Sequence, residues 1–337
     1  MKSPAKIRTL SLCCILFLFQ ACRSSEKKRS DREDILQGPV FRQQTDSIHE
    51  FPGAANLYFE RAQLLSRHDL HEIATADYKK SWELDPEENT ALQYASNLSI
   101  TDRLPEELTL LQSGLRRFPQ NREIKRMLGE VFVQSGRDKE AIGLYEDILK
   151  KDPADFEAWY EKGLLYAQLK DTSHAIESLK NAFSLQPTNT YALELAHLYA
   201  EISDDRALAL CDGALRNDPG RELVDPFFIK GIYYANTRQY EQAILQFDSC
   251  IRRDWKFTQA YIEKGIAFFK QQNYDVAMNT FRMAATVSNT NPDAYFWIGR
   301  CYEAINNKAE AAQYYQRAIS LDKNFTEAKD AIKRLGS

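Results

Sequence analysis

The stretch FEAWYEKGLLYAQLKDTSHAIESLKNAFSLQPTN, residues 156–189, carries two apolar stripes in succession. Trp159, Gly163 and Tyr166 are spaced i, i+4, i+7, and so are Ala175, Leu179 and Ala182. That spacing puts each triplet on one face of an α-helix and predicts two short helices packed face to face. Helices that cross closely need a small residue on each side. Gly163 and Ala175 supply them, while Trp159, Tyr166 and Leu179 fill the flanks.

Outward from this stretch the same pattern returns. Pro86, Pro119, Pro153 and Pro187 fall 33, 34 and 34 residues apart, a period that marks a stack of repeated units. Tyr58, Ala62, Leu65, Ala74 and Tyr78 repeat the stripes upstream, and Leu128, Gly129, Phe132, Ala141 and Tyr145 do so in the third copy. Downstream, Phe227, Gly231, Tyr234, Ala243 and Phe247 are followed by Tyr261, Gly265, Phe268, Ala277 and Phe281, then by Tyr295, Gly299, Tyr302, Ala311 and Tyr315.

This pattern resembles the tetratricopeptide repeat family. The resemblance implies an all-α fold: a right-handed α-solenoid of about eight helix-turn-helix units over residues 55–325, closed by a capping helix over 326–337. The units fall near 55–88, 89–121, 122–155, 156–189, 190–220, 221–257, 258–291 and 292–325. Two are degenerate. In 89–121, Leu108 takes the place of the small second-helix residue, and in 190–220 the positions of Ala196, Tyr199, Ala207 and Ala214 imply a shortened turn. Pro226 is suited to start the helix after the inserted residues that follow Pro219.

Residues 1–21 differ from all this. Lys2, Lys6 and Arg8 precede an apolar run from Leu10 to Phe19, the layout of a signal peptide. The run is too short to cross a bilayer as a helix, which takes about 20 residues. Leu18-Phe19-Gln20-Ala21-Cys22 resembles a bacterial lipobox, which implies lipidation of Cys22 and, with Arg23 next to it, an outer-membrane lipoprotein of the cell envelope facing the periplasm. The polar residues that follow, up to residue 54, read as a flexible tether. Loss of Lys2, Lys6 and Arg8 with the leader takes the formal charge from -4 to -7. Cys211, Cys250 and Cys301 then remain besides Cys22, an odd number that argues against a disulfide framework and for small buried side chains; a Cys211–Cys250 bridge is the alternative.

The family resemblance further implies a concave groove lined by positions 5, 9 and 12 of each first helix. Position 5 gives Phe59, Tyr160, Phe228, Ile262 and Phe296, position 9 gives Ile232, Ile266 and Arg300, and position 12 gives Phe269. Such a row suits helical or extended segments of other proteins. The reading is therefore a non-catalytic scaffold for protein partners. A lipoprotein that binds or guides a glycan or polysaccharide is the alternative, which would call for exposed rings interleaved with carboxylates and amides. No cofactor is expected, nor any set of acid, base and nucleophile. Single glycines rather than a phosphate cradle argue against nucleotides, and the acidic balance argues against nucleic acid. His68 and His71, beside Asp69 and Glu72, read as a solvated turn rather than a metal site.

Overall fold

The computed structural model describes residues 32–336. The signal peptide expected over 1–21 and the lipidated Cys22 lie outside them. Every regular element among the described residues is an α-helix, and the chain divides into two compact units, one ending at Lys151 and one beginning at Asp152.

The first unit holds α1 (Arg42–Glu50) and three helix pairs: α2 (Ala55–Arg67) with α3 (His71–Leu84), α4 (Glu88–Ile100) with α5 (Leu104–Arg117), and α6 (Arg122–Gln134) with α7 (Asp138–Lys151). The second holds five: α8 (Phe156–Gln168) with α9 (Thr172–Leu185), α10 (Asn189–Glu201) with α11 (Arg206–Arg216), α12 (Asp225–Asn236) with α13 (Tyr240–Arg253), α14 (Thr258–Lys270) with α15 (Tyr274–Val287), and α16 (Pro292–Ala304) with α17 (Lys308–Leu321). A last helix, α18 (Thr326–Leu335), packs on α17. Within each unit, successive pairs stack side by side. These eight pairs with a closing helix are the α-solenoid that the periodicity predicts.

Inside five of the pairs the helices approach so closely that the first carries glycine at the crossing, where Ala62, Ala95 and Ala196 stand in the other three. A Cβ added to Gly163 would lie 2.8 Å from the Leu179 side chain, and one on Gly231 or Gly265 would lie 2.4 Å from the ring of Phe247 or Phe281. Gly129 and Gly299 face Tyr145 and Tyr315 in the same way. The covering residue is thus the large one of the second helix, one turn beyond the alanine. That alanine is also close, since a Cβ on Gly299 would come within 3.2 Å of the Ala311 carbonyl.

The turn inside each pair is built alike in all eight. Asp69, Asp102, Gly136, Lys170, Ser203, Arg238, Gln272 and Asn306 have φ between 54° and 68°. The next residue donates its amide to the carbonyl five back, as Arg137 does to Phe132 and Asp171 to Tyr166. This is the left-handed helix stop that satisfies otherwise orphaned carbonyls. Only one of the eight residues is glycine; in the other seven, all exposed, the local hydrogen bonds that close the turn hold the positive φ.

Three features depart from the sequence reading. In the second pair α4 starts at Glu88, and the 33-residue spacing places Glu107, not Leu108, where Ala74, Ala141, Ala175, Ala243, Ala277 and Ala311 stand in other pairs. Glu107 is buried, and Leu108 is only half-buried. The fifth pair keeps the common turn, but its second helix has 11 residues where α3, α5, α7, α9, α13, α15 and α17 have 14. Lastly, residues 32–54 are not a tether. Leu36, Phe41, Thr45 and Ile48 are buried, covering the face of the first pair that has no preceding pair to hide it. Arg61 on α2 clasps Asp77 on α3 with Nε at 2.6 Å and Nη2 at 2.9 Å, and its Nη1 donates to Thr45 Oγ1 at 3.1 Å. Thr45 in turn donates to the Leu36 carbonyl at 2.9 Å. A fully hydrogen-bonded buried pair of this kind fixes where α1 docks.

Two outcomes follow for stability. Gly265→Ala forces Phe281 aside and is expected to cost roughly 2 kcal/mol or more, whereas Gly143→Ala, on a helix face with no neighbour within 4 Å, is expected to add up to about 1 kcal/mol; thermal melts of the two variants give opposite signs. Burial, and then the Glu130 carboxylate, push Glu107 up to about 7 from an ordinary 4.5. The unfolded chain loses this proton first as pH rises, so the contribution of Glu107 to stability is greatest below pH 4.5 and falls by about 3 kcal/mol through pH 7. Glu107→Gln should therefore raise the melting temperature at pH 8 and leave it nearly unchanged at pH 4.5.

Candidate functional site

In the second compact unit the first helices of neighbouring pairs touch: α10 with α12, α12 with α14, α14 with α16. Positions 5, 9 and 12 lie on one face of each helix, so their side chains form a continuous row across α12, α14 and α16. Stacking decides how much of that row is available.

Two of the expected groove residues are lost to the core. Ile262 is 2% exposed and packs among Ala277, Phe281, Ala294 and Ile298. Phe296 is 8% exposed, with its ring 5.6 Å from Tyr315 and 5.1 Å from Phe325. The physical reason is that a position-5 side chain on one first helix is reached by the next pair, or here by the residues leading into α18. Both are structural, a correction to their assignment as binding residues.

Phe228, Ile232, Ile266, Phe269 and Arg300 stay half-exposed. Phe228 rests on Phe257 at 5.0 Å. Phe269 meets Tyr274 at 5.2 Å and Trp297 at 5.5 Å, both edge-on. Trp297 is a neighbour the sequence reading missed; its adjacency to Phe296 was the available signal. The Arg300 guanidinium lies 5.7 Å from the Phe269 ring and 5.6 Å from the Trp297 ring, a cation–π setting. Its side chain is 38% exposed, and its contact with Glu303, at 3.8 Å, is longer than a hydrogen bond. Glu303 is engaged elsewhere: Arg334 donates to it twice at 3.0 Å and the Tyr315 hydroxyl once at 2.5 Å. The row thus ends in a cation held between aromatic rings and open to solvent. Tyr160, also in this unit, packs 4.5 Å from Tyr191. Phe59 belongs to the first unit and leans on Tyr78 at 6.0 Å, so it is not part of the same row.

Below this row, burial raises Glu263 and Asp293, with Asp293 adding to Glu263 and Glu327 and Asp322 adding to Asp293; the Gln259 hydrogen bond opposes the rise at Glu263. Cys211, Cys250 and Cys301 are buried free thiols that burial pushes up to about 12, so the bridge alternative does not hold and none is a thiolate at neutral pH. His71 Nδ1 is 3.1 Å from Asn97 Oδ1.

Sequence models described as Tetratricopeptide repeat match residues 108–169, 156–189, 230–292 and 292–325, together just over half of the chain. Among curated proteins, the BBSome complex member BBS4 homolog of Drosophila melanogaster is 24% identical over 289 residues, covering 80% of this chain and 58% of that protein. The peroxisomal targeting signal receptor of Kluyveromyces lactis is 24% identical over 214 residues, covering 60% and 36%. The chain thus spans less than two thirds of either relative. Among solved structures, the APC/C hetero-tetramer Cut9–Hcn1 matches with a TM-score of 0.55 at 16% identity, covering 89% of this chain and 60% of that one. PilW, a type IV pilus biogenesis factor, matches at 0.55 and 20% identity, covering 65% and 99%. At these identities the likeness is one of fold.

Proposed function

Because this chain belongs to the tetratricopeptide repeat family, we propose that it is a non-catalytic scaffold holding segments of partner proteins along the first-helix row of its second unit, and that it works in the cell envelope, anchored by lipid on Cys22. The observation that carries the binding reading is the half-exposed row of Phe228, Ile232, Ile266 and Phe269, ending at the ring-flanked Arg300. Apolar surface left in a continuous strip is surface that gains by being covered. Rings and arginine are the side chains that most often carry binding energy when a partner excludes water from them.

The anchoring reading rests on the signal layout and on Cys22. The docking of residues 32–50 adds a distance to it. Residues 23–31 separate Cys22 from the docked segment, and nine residues span at most about 30 Å. With Cys22 lipidated, that reach keeps the first helix pair near the membrane surface; Arg23 beside Cys22 is what favours the outer membrane, with the protein facing the periplasm.

For the row, the test is crosslinking in cells with wild type and an Ile232→Asp, Ile266→Asp, Arg300→Glu variant, which spares the buried Ile262 and Phe296. Protein partners should be lost from the variant while its circular dichroism stays that of wild type; an unchanged partner set would rule out the row, and recovery of glycan in place of protein would favour the polysaccharide reading. For the anchor, Cys22→Ser should move the protein from the membrane to the soluble fraction, and continued membrane attachment of the variant would overturn lipidation.

A further inference from the structure

Between α3 and α5, the second helices of the first two pairs, lies a cavity of about 490 Å³ that the scaffold reading does not use. Trp82 forms one wall, Pro105 and Thr109 the other, and Tyr94 and Leu110 the floor. The buried Tyr94 ring stacks with the Tyr78 ring at 6.2 Å. Glu83 and Glu106 stand at the rim with Lys79.

The charges around the slot do not balance. Arg103 Nη2 is committed to Glu72 at 2.5 Å, and its Nη1 reaches Glu106 only at 3.5 Å. Of the charged residues that line the slot itself, two are carboxylates, Glu83 and Glu106, against one cation, Lys79. The Tyr94 phenol senses the surplus: burial first, then Glu106 and Glu83 against Arg103, push it up to about 12. The slot therefore joins two aromatic rings, an apolar floor and a negative rim. Among side chains, the one that matches all three is arginine. Its planar guanidinium stacks on rings, donates to carboxylates at its edge and sheds water more readily than an ammonium.

We propose that this slot is a second binding site, which takes an arginine side chain of a partner protein on the second-helix side of the first two pairs. It lies in the unit ending at Lys151, apart from the row on α12, α14 and α16, so either site can fail without the other. A chain with both would hold a partner at two points, or two partners at once.

The experiment is ¹⁹F NMR on the full chain labelled with 5-fluorotryptophan. Trp82→Phe assigns the Trp82 resonance, and Trp159, Trp255 and Trp297 serve as internal controls. The probes are acetyl-Ser-Gly-Arg-Gly-Ser-amide and its citrulline twin, which has the same shape without the charge. The arginine peptide should shift the Trp82 resonance at millimolar concentration, with the citrulline peptide about tenfold weaker, the size of one cation–π contact plus one ion pair. Glu83→Gln with Glu106→Gln should abolish the shift and leave the other three resonances in place, and Lys79→Gln should tighten binding. Equal shifts from the two peptides would make the slot a neutral pocket and overturn the proposal. So would movement of all four resonances together, or none at all with the arginine peptide.

Discussion

The rings of Phe247 and Phe281 lie where a Cβ on Gly231 or Gly265 would have to be, only 2.4 Å from that position. With Leu179, Tyr145 and Tyr315 over Gly163, Gly129 and Gly299, this close crossing sets the geometry of five pairs. It brings two helices near enough that a short left-handed turn joins them, and the carbonyl accepting the turn's closing amide belongs to a residue of the first apolar stripe, such as Phe132, Tyr166 or Tyr302. Packing and chain reversal are thus parts of one device, and interiors packed at crystal-like density leave little freedom to vary it.

What remains for binding is what this device leaves uncovered. Each first helix spends one stripe on its own partner helix and a second on the next pair. Position 5 is therefore contested: Ile262 and Phe296 are taken into the stack, whereas Phe228 keeps an open side, as do Ile266 and Phe269 at positions 9 and 12. The cation at the end of the row is available for the same kind of reason. Glu303 is held by Arg334 of α18 and by Tyr315, so it offers Arg300 only a longer contact.

The polar exceptions to the pattern gather in the first compact unit. Glu107 occupies an alanine position at the cost of carrying a carboxyl whose charge is poorly solvated. Arg61 and Asp77 are buried too, but their hydrogen bonds are satisfied by each other and by Thr45. The first case makes stability depend on pH; the second positions α1.

The sequence by itself determined the helix pairs, their period and the glycine crossings, because those depend on residues three to eight positions apart on single helices. Through the family resemblance it also marked Phe228, Ile232, Ile266, Phe269 and Arg300, at positions 5, 9 and 12, as one face across neighbouring units. Tertiary structure alone decided that Ile262 and Phe296 are core, since their burial comes from the pair that stacks on them and not from their own helix. It also decided that residues 32–50 form a docked cap rather than a tether. Phe41, Thr45 and Ile48 keep the i, i+4, i+7 spacing, but Thr45 is polar and the turn at Gly38-Pro39 separates them from Leu36; only the face of the first pair, with Arg61 reaching out from it, brings the four together.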